Sequence, residues 1–202
     1  MSSADETVAG DGPLILGIGG ALRFGSSSGR ALQIAIDRAQ RLGARTRVVD
    51  GARLELPAYD PTLELNEAAS WFVDSVRSAD ALIIASPSYH GGVSGLLKNA
   101  LDHIEALAGE RRPYLRDRAV GLIATGDGWQ GPNATLAAMR QLTHALQGWP
   151  TPLGVAHNVK QGGAGGARAQ LEILAEQVVS FARSFSSSPI ARRPAVRPAG
   201  RS

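Results

Sequence analysis

Apolar and polar positions along the chain switch repeatedly between two spacings. Leu14–Ile18 is a short unbroken apolar run ending in glycines, which predicts a strand buried on both faces. From residue 28 the spacing changes. Leu32, Ala35, Ile36, Ala39 and Leu42 recur at three and four residues, a helical stripe that Gly43 stops. Arg45–Asp50 predicts a second strand, and residues 51–65, with Pro57 and Pro61, a loop. Residues 66–78 predict a helix that turns Trp71, Phe72 and Val76 inward, and Ala81–Ala85 a third strand. Residues 93–107 carry an apolar stripe from Val93 through Leu97 and Leu101 to Leu107, a third helix. Ala119–Ala124, residues 133–147, Thr151–Ala156 and residues 167–185 then predict strand, helix, strand and helix.

Five strands and five helices in alternation predict an α/β fold, a parallel sheet covered on both faces in three layers. Two strand orders fit: the dinucleotide-binding order and the five-stranded flavodoxin-like order 2-1-3-4-5. In both, ligands bind at the carboxyl ends of the strands. The loops after strands one, three and four are therefore the places to look for chemistry.

Composition narrows the possibilities. The chain has 202 residues, enough for one domain, expected over 13–185. Residues 1–12 and 186–202 read as disordered tails, the second rich in Ser, Pro and Arg with little to bury. Cysteine is absent, which removes disulfides, thiolate metal sites and a Cys nucleophile. Redox chemistry would need a cofactor. Net charge is +3, but the first tail carries −3 and the second +4, leaving +2 on the body. No nucleic-acid partner is expected from so even a balance. His144 and His157 are isolated and no acid/histidine cluster has metal spacing, so no metal is expected. The longest apolar runs fall far short of the ~20 residues of a membrane span. With no signal peptide visible either, a cytoplasmic protein away from membranes is expected.

The first loop runs Gly19-Gly20-Ala21-Leu22-Arg23-Phe24-Gly25-Ser26-Ser27-Ser28. It is neither a Walker loop nor G-x-G-x-x-G, because Leu22 stands at the third glycine position. It offers one cation, three hydroxyls and a helix N-terminus, a combination suited to a terminal phosphate. The same residues equally fit a plain helix cap by Ser26 or Ser28 with Arg23 in water. The loop after strand three reads Ser86-Pro87-Ser88-Tyr89-His90-Gly91-Gly92, followed by Val93-Ser94-Gly95-Leu96-Leu97-Lys98-Asn99-Ala100-Leu101-Asp102. It resembles the pattern S-P-x-Y-[NH]-G-x-x-P-G-x-L-K-N-x-x-D of the NADPH-dependent FMN reductase family. Gly20–Arg23 with Ser26 and Ser28 resembles that family's phosphate loop, and Thr125-Gly126-Asp127-Gly128-Trp129-Gln130-Gly131 its turn after strand four.

The resemblance implies the flavodoxin-like order and bound FMN, with NADPH or NADH as co-substrate and a small-molecule electron acceptor. Arg23, Ser26 and Ser28 would hold the FMN phosphate. Pro87, Ser88, Tyr89, His90 and Gly91 would border the ring and ribityl chain, and Thr125, Gly126, Asp127 and Gly128 the ring's other edge. No side chain is assigned a catalytic role, since the flavin carries the hydride. A homodimer or homotetramer is expected. Ala21 stands where a hydroxyl is common, and Ser94 replaces a proline that opens the next helix; serine can cap it instead. His90 could approach the flavin or face solvent. Trp129 either walls the nicotinamide side or plugs the core, and Trp149 is expected in the core. His103 is expected at the surface or a subunit contact. Lys98, Asn99 and Asp102 lie on a polar helix flank, solvated or at an interface. Three rivals stand: a flavodoxin-type electron carrier, a dehydrogenase using Asp50 for a ribose, and a nucleic-acid or membrane module acting through the Arg tail.

Overall fold

The computed structural model describes residues 11–162 and 166–186. Its elements are β1 (Leu14–Gly19), α1 (Ser27–Arg41), β2 (Arg45–Asp50), α2 (Glu67–Ser78), β3 (Ala81–Pro87), α3 (Gly95–Asp102), β4 (Ala119–Gly126), α4 (Gln130–Ala145), β5 (Trp149–Pro150), β6 (Val155–Asn158), α5 (Val159–Gly162) and α6 (Arg168–Ser186). Every strand pair is parallel and the sheet runs β2-β1-β3-β4-β5, with β6 also on β4. This is the expected flavodoxin-like order. The expected tails fall almost wholly outside the described residues. Of them, Gly12 offers its carbonyl to Arg45 Nε at 3.0 Å.

The pleat divides the apolar strands between two cores. Leu16, Ile18, Leu82, Ile84, Val120 and Leu122 face α2, α3 and α4, packing on Phe72, Val76, Leu97, Leu101 and Leu136. Ile15, Ile83, Ala85 and Ile123 face α1 and α6, packing on Leu32, Ile36, Leu171, Leu174 and Val178. The unbroken apolar runs of β1 and β3 follow from burial on both faces. The chain leaves β1 for β2 on one side, and from β2 crosses back through α2 to β3 on the other side of β1. The carboxyl ends of β1 and β3 therefore form the switch point where a doubly wound sheet opens a crevice.

The expected fifth strand over Thr151–Ala156 is corrected. It is two short pieces, β5 and β6. Trp149 and Pro150 pair with Ala119 and Val120, and Val155 and Ala156 with Ile123 and Ala124. Four residues, 151–154, thus stand opposite Gly121 and Leu122, two more than an even ladder allows. Pro150 and Pro152 lack the N–H that would continue it. Trp149 is not in the core. It lies at the sheet edge, 57% exposed, with its ring 6.1 Å from Phe181.

The third helix also differs. Its α-helical part ends at Asp102 and continues as a tighter 3₁₀ turn, His103–Leu107. His103, at the junction, is buried beside Tyr59 of the loop after β2, against the surface position expected for it. It is 2% exposed, with Nδ1 2.9 Å from the Asn99 carbonyl and its ring edge-on to Tyr59. Asn99, expected on a solvated or interfacial flank, is engaged within the chain. Its Oδ1 accepts the Tyr59 amide at 2.9 Å and its Nδ2 donates to the Leu56 and Pro57 carbonyls, tying the long loop after β2 to α3. Lys98 and Asp102 form an exposed ion pair at 2.6 Å. α4 starts at Gln130, three residues earlier than the spacing predicts. Pro132 sits in its first turn, where no intrahelical N–H bond is lost.

Candidate functional site

Three loops meet at the carboxyl edge of the sheet. The first leaves β1 through Gly20, whose amide donates to the Ala85 carbonyl at 2.7 Å. Ser94 Oγ donates to the Gly20 carbonyl at 2.6 Å and accepts the Leu97 amide at 3.2 Å. Serine at this point therefore caps α3, as expected, and also fastens the first loop to the third strand's loop. A Cβ on residue 20 would lie 2.9 Å from both Leu97 Cβ and Ser94 Oγ, so only glycine fits.

Beyond Gly20 the loop turns at Arg23–Ser26 and enters α1. Ser26 is its cap, Oγ accepting the Gly29 amide at 3.0 Å and lying 3.3 Å from the Ser28 hydroxyl. Both serines are buried. Arg23 is exposed and its guanidinium has no hydrogen-bond or ion-pair partner among the described residues. Arg23, Gly25 and Ser26 line a cleft of 390 Å³, closed on its far side by Asp50, Gly51 and Arg53 from the end of β2. Above Gly25 the space is open. Phe24, at the tip, is 98% exposed.

The loop after β3 is a tight turn that the sequence reading does not identify. Tyr89 and Gly92 exchange both backbone hydrogen bonds, at 3.2 and 3.0 Å. His90 and Gly91 between them have φ of +51° and +80°. Positive φ at both central residues is the type I′ hairpin geometry, which favours Asn-Gly. His is among the few other residues that tolerate such a φ, so the dipeptide His90-Gly91 is the available signal. The turn throws His90 and Tyr89 outward; Tyr89 is 59% exposed. The buried Thr135 hydroxyl lies 2.8 Å from Ser88 Oγ and 3.1 Å from the Gly92 carbonyl, anchoring the turn to α4.

The loop after β4 forms the opposite wall. Ser88, His90, Gly91, Gly126, Asp127 and Gly128 line a second cleft, of 550 Å³, with Trp129 and the first turn of α4. Trp129 is 52% exposed and belongs to this wall rather than to the core. α4 has no side-chain cap, and the amides of Gln130 and Gly131 have no partner among the described residues. They point helix-terminal donors towards the cleft region. Gly128 has φ +96° and open space where a Cβ would stand; its amide donates to Asn158 Oδ1 at 3.0 Å.

Of the twelve residues expected at the site, Arg23 and Ser26 line the first cleft, and Ser88, His90, Gly91, Gly126, Asp127 and Gly128 the second. Ser28 and Thr125 are buried beneath these loops, Pro87 pairs with Thr125 in the sheet, and Tyr89 stands at the rim. Asn158, Thr135 and Gln161 are additional residues that shape the walls. An Asn closing an apolar run is an ordinary cap signal, but its hold on Gly128, thirty residues away, has no local trace. Among the described residues no cluster of acids and histidines is placed to hold a metal, and no helix is long and apolar enough to cross a membrane.

Comparison with known proteins agrees with this geometry. The chain is 36% identical over 105 residues to an FMN-dependent NADPH-azoreductase of Staphylococcus haemolyticus (strain JCSC1435), and 30% identical over 105 residues to one of Staphylococcus aureus (strain USA300). Each match covers 52% of this chain and 52% of the relative, so the chain spans about half the length of the curated relatives it matches. Among solved structures, an apo NADH:FMN oxidoreductase superposes with a TM-score of 0.68 at 22% identity, covering 92% of this chain and 97% of that one. The flavoenzyme NAD(P)H:(acceptor) oxidoreductase from Paracoccus denitrificans gives 0.66 at 18% identity, with coverage of 86% and 97%. Likeness at such identities speaks to the fold. Family follows from the sequence itself: residues 13–172 match NADPH-dependent FMN reductase, and the chain belongs to that family.

Proposed function

We propose that this protein is an NAD(P)H-dependent FMN oxidoreductase, with residues 13–185 as its flavin-binding domain. The observation that carries the reading is the pairing of two clefts on one sheet edge, each suited to a different part of FMN. Arg23 has no partner among the described residues, the cleft above Gly25 is open, and the first turn of α1 presents backbone donors; together they suit a dianionic phosphate. The second cleft is walled by glycine-rich turns, has room over Gly128, and faces the Gln130 and Gly131 amides, which have no partner among the described residues; this suits a flat heterocycle rich in acceptors. The residues present fit the group.

FMN, when bound, supplies two-electron chemistry between NAD(P)H and an acceptor. The chain's own residues bind and orient. Arg23 would clamp the phosphate while Ser26 and Ser28 support the loop around it. Ser88 to Gly91 on one wall and Gly126 to Gly128 on the other would hold the ring's edges. Gly91 and Gly128, both at positive φ, place no side chain at these two points of the walls, so one face stays open for a planar co-substrate. Free flavin, quinones and azo compounds are acceptors of that kind; the relatives named as azoreductases support the last. Leu22, Phe24, Tyr89 and Trp129 leave apolar surface along one edge, which supports a homodimeric or homotetrameric assembly. A cytoplasmic location completes the reading.

The direct test is binding and turnover together. Purified protein should take up FMN near one per chain, prefer it to riboflavin, and oxidise NADPH or NADH with a quinone or azo acceptor. Equal affinity for riboflavin would remove the phosphate assignment, and failure to oxidise either nicotinamide would remove the enzyme.

A second expectation concerns the open wall. Gly128→Leu should slow both half-reactions about tenfold, equivalent to ~1.4 kcal/mol, by filling the space over residue 128. Gly128→Ala carries the same positive-φ strain without the bulk. Stopped-flow rates of flavin reduction and reoxidation in both variants separate strain from obstruction. Equal rates in the two would show that the space above Gly128 is not used.

A further inference from the structure

The wall formed by the loop after β4 is held from behind by residues that the flavin reading leaves without a role. Gly128 donates its amide to Asn158 Oδ1 at 3.0 Å, and Trp129 donates its indole Nε1–H to Gln161 Oε1 at 2.8 Å. The Asp127 carboxylate lies 3.4 Å from the Lys160 ammonium. Three successive wall residues are thus gripped by three side chains of a four-residue stretch, Asn158–Gln161. The stretch is itself fixed. Asn158 is buried at the end of β6, and its Oδ1 also accepts the Lys160 amide at 3.1 Å, which starts α5.

The three contacts differ in weight. The Lys160–Asp127 pair is mostly in water on both sides, and such pairs contribute little. The Asn158 bond sets the backbone at Gly128. The Gln161 bond acts on a side chain that has no other hydrogen bond, and half of whose surface is exposed. An indole so exposed would otherwise share several rotamers. Bonded to Gln161, it stands as a flat, fixed face of the 550 Å³ cleft.

We propose that Asn158–Gln161 is a specificity element: Gln161 positions Trp129 as a rigid apolar wall, and the site therefore favours flat aromatic co-substrates over compact, non-planar ones. The proposal rests on the flavoenzyme reading above. Gln161 is a positioning residue, touching Trp129 and not the co-substrate. A pre-set wall saves the ordering cost that a mobile indole would impose on each binding event.

The test uses the holoenzyme for kinetics and the FMN-free chain for spectroscopy, with Gln161→Ala, Gln161→Glu and Trp129→Phe. A naphthoquinone serves as the flat acceptor and ferricyanide as the compact one. Gln161→Ala should raise the KM for the naphthoquinone about three- to tenfold, the scale of one lost hydrogen bond, while kcat, the KM for ferricyanide and FMN affinity stay unchanged. Gln161→Glu keeps an acceptor for the indole and should restore the wild-type KM. Without FMN, the Trp129 emission, taken as wild type minus Trp129→Phe, should become more quenchable by acrylamide in Gln161→Ala and not in Gln161→Glu. Unchanged emission would show that Gln161 does not hold the indole, and would overturn the proposal. Changed emission with an unchanged ratio of the two KM values would overturn it as well, leaving a clamp with no part in selection. Failure of the flavoenzyme reading is distinguishable: the wild type would then neither bind FMN nor oxidise NAD(P)H, and the proposal would fall with it.

Discussion

Replacing Arg118 by Met should destabilise the protein by roughly 3–5 kcal/mol, the scale of three lost hydrogen bonds at about 1–1.5 kcal/mol each. Arg118 opens the turn into β4 and is 1% exposed, one of the largest fully buried side chains. Among the described residues it has no carboxylate in hydrogen-bond contact. Its Nε donates to the Ala79 carbonyl, Nη2 to Arg77 and Nη1 to Tyr114, each at 2.9 Å. Arg77 and Ala79 are at the carboxyl end of α2, where the last carbonyls lack intrahelical partners and the helix dipole is negative. Arg118 is thus a buried C-cap for a helix three elements earlier in the chain. Burial pushes its guanidinium down to about 9, with neighbouring Arg112 acting in the same direction and Asp80 and Asp117 opposing. It still carries its charge at pH 7. Methionine fills much of the stem's volume but leaves the Arg77 and Tyr114 carbonyls without their side-chain donor, and Ala79 with only the longer bond from Arg112 at 3.4 Å. Lysine keeps the charge, yet one ammonium cannot match the planar fork, so Arg118→Lys should fall between. Urea unfolding of the FMN-free chain measures both. A loss under ~1 kcal/mol for Arg118→Met would mean that water replaces the guanidinium.

Arg118 also marks where sequence reading stops. Arg-Asp-Arg before an apolar run looks like a solvated strand entry, and nothing local shows that the second arginine turns inward to meet α2. The strands β1, β3 and β4 are legible because burial on both faces writes a nearly unbroken apolar run into the sequence, while β2, at the sheet edge, shows only a short β-branched stretch between charged residues. The fifth was misread because its break is set by the register of β4, a non-local partner. The burial of His103 has no local trace because it comes from Tyr59 in the loop after β2, forty-four residues away. Trp149 was assigned to the core by its size, though the edge position leaves it half in water. In the site the three loops were legible as motifs, since each follows a strand whose carboxyl end must open on the crevice. The local geometry was legible only in part. Ser94 as a cap could be foreseen from its position before α3, while its bond to Gly20 depends on how two loops meet. The grip of Asn158 and Gln161 on the third loop depends likewise on a contact across thirty residues or more.

Arg23→Ala should weaken FMN binding about 10- to 150-fold, equivalent to ~1.5–3 kcal/mol for charge-assisted hydrogen bonds to the phosphate. The stability of the FMN-free chain should move by no more than about 0.5 kcal/mol, because the side chain is exposed and partnerless among the described residues. The contrast between those two effects is the content of the prediction. A residue that shaped the loop would lower both together. Riboflavin provides the control: without a phosphate, its affinity should be the same in wild type and variant. Arg23→Lys should recover part of the loss, since an ammonium retains the charge but not the bidentate fork. Raising the salt concentration should weaken FMN binding to the wild type more steeply than to Arg23→Ala, because the screened charge is the one removed. Arg53 lines the same cleft and is the competing cation, but its guanidinium is stacked 5.3 Å over the Trp71 ring. If Arg53→Ala gave the large loss and Arg23→Ala a small one, the phosphate would lie against the turn after β2 and not at the start of α1. Isothermal titration of FMN and riboflavin into the three variants distinguishes the two placements, because only the cation that meets the phosphate separates the ligands.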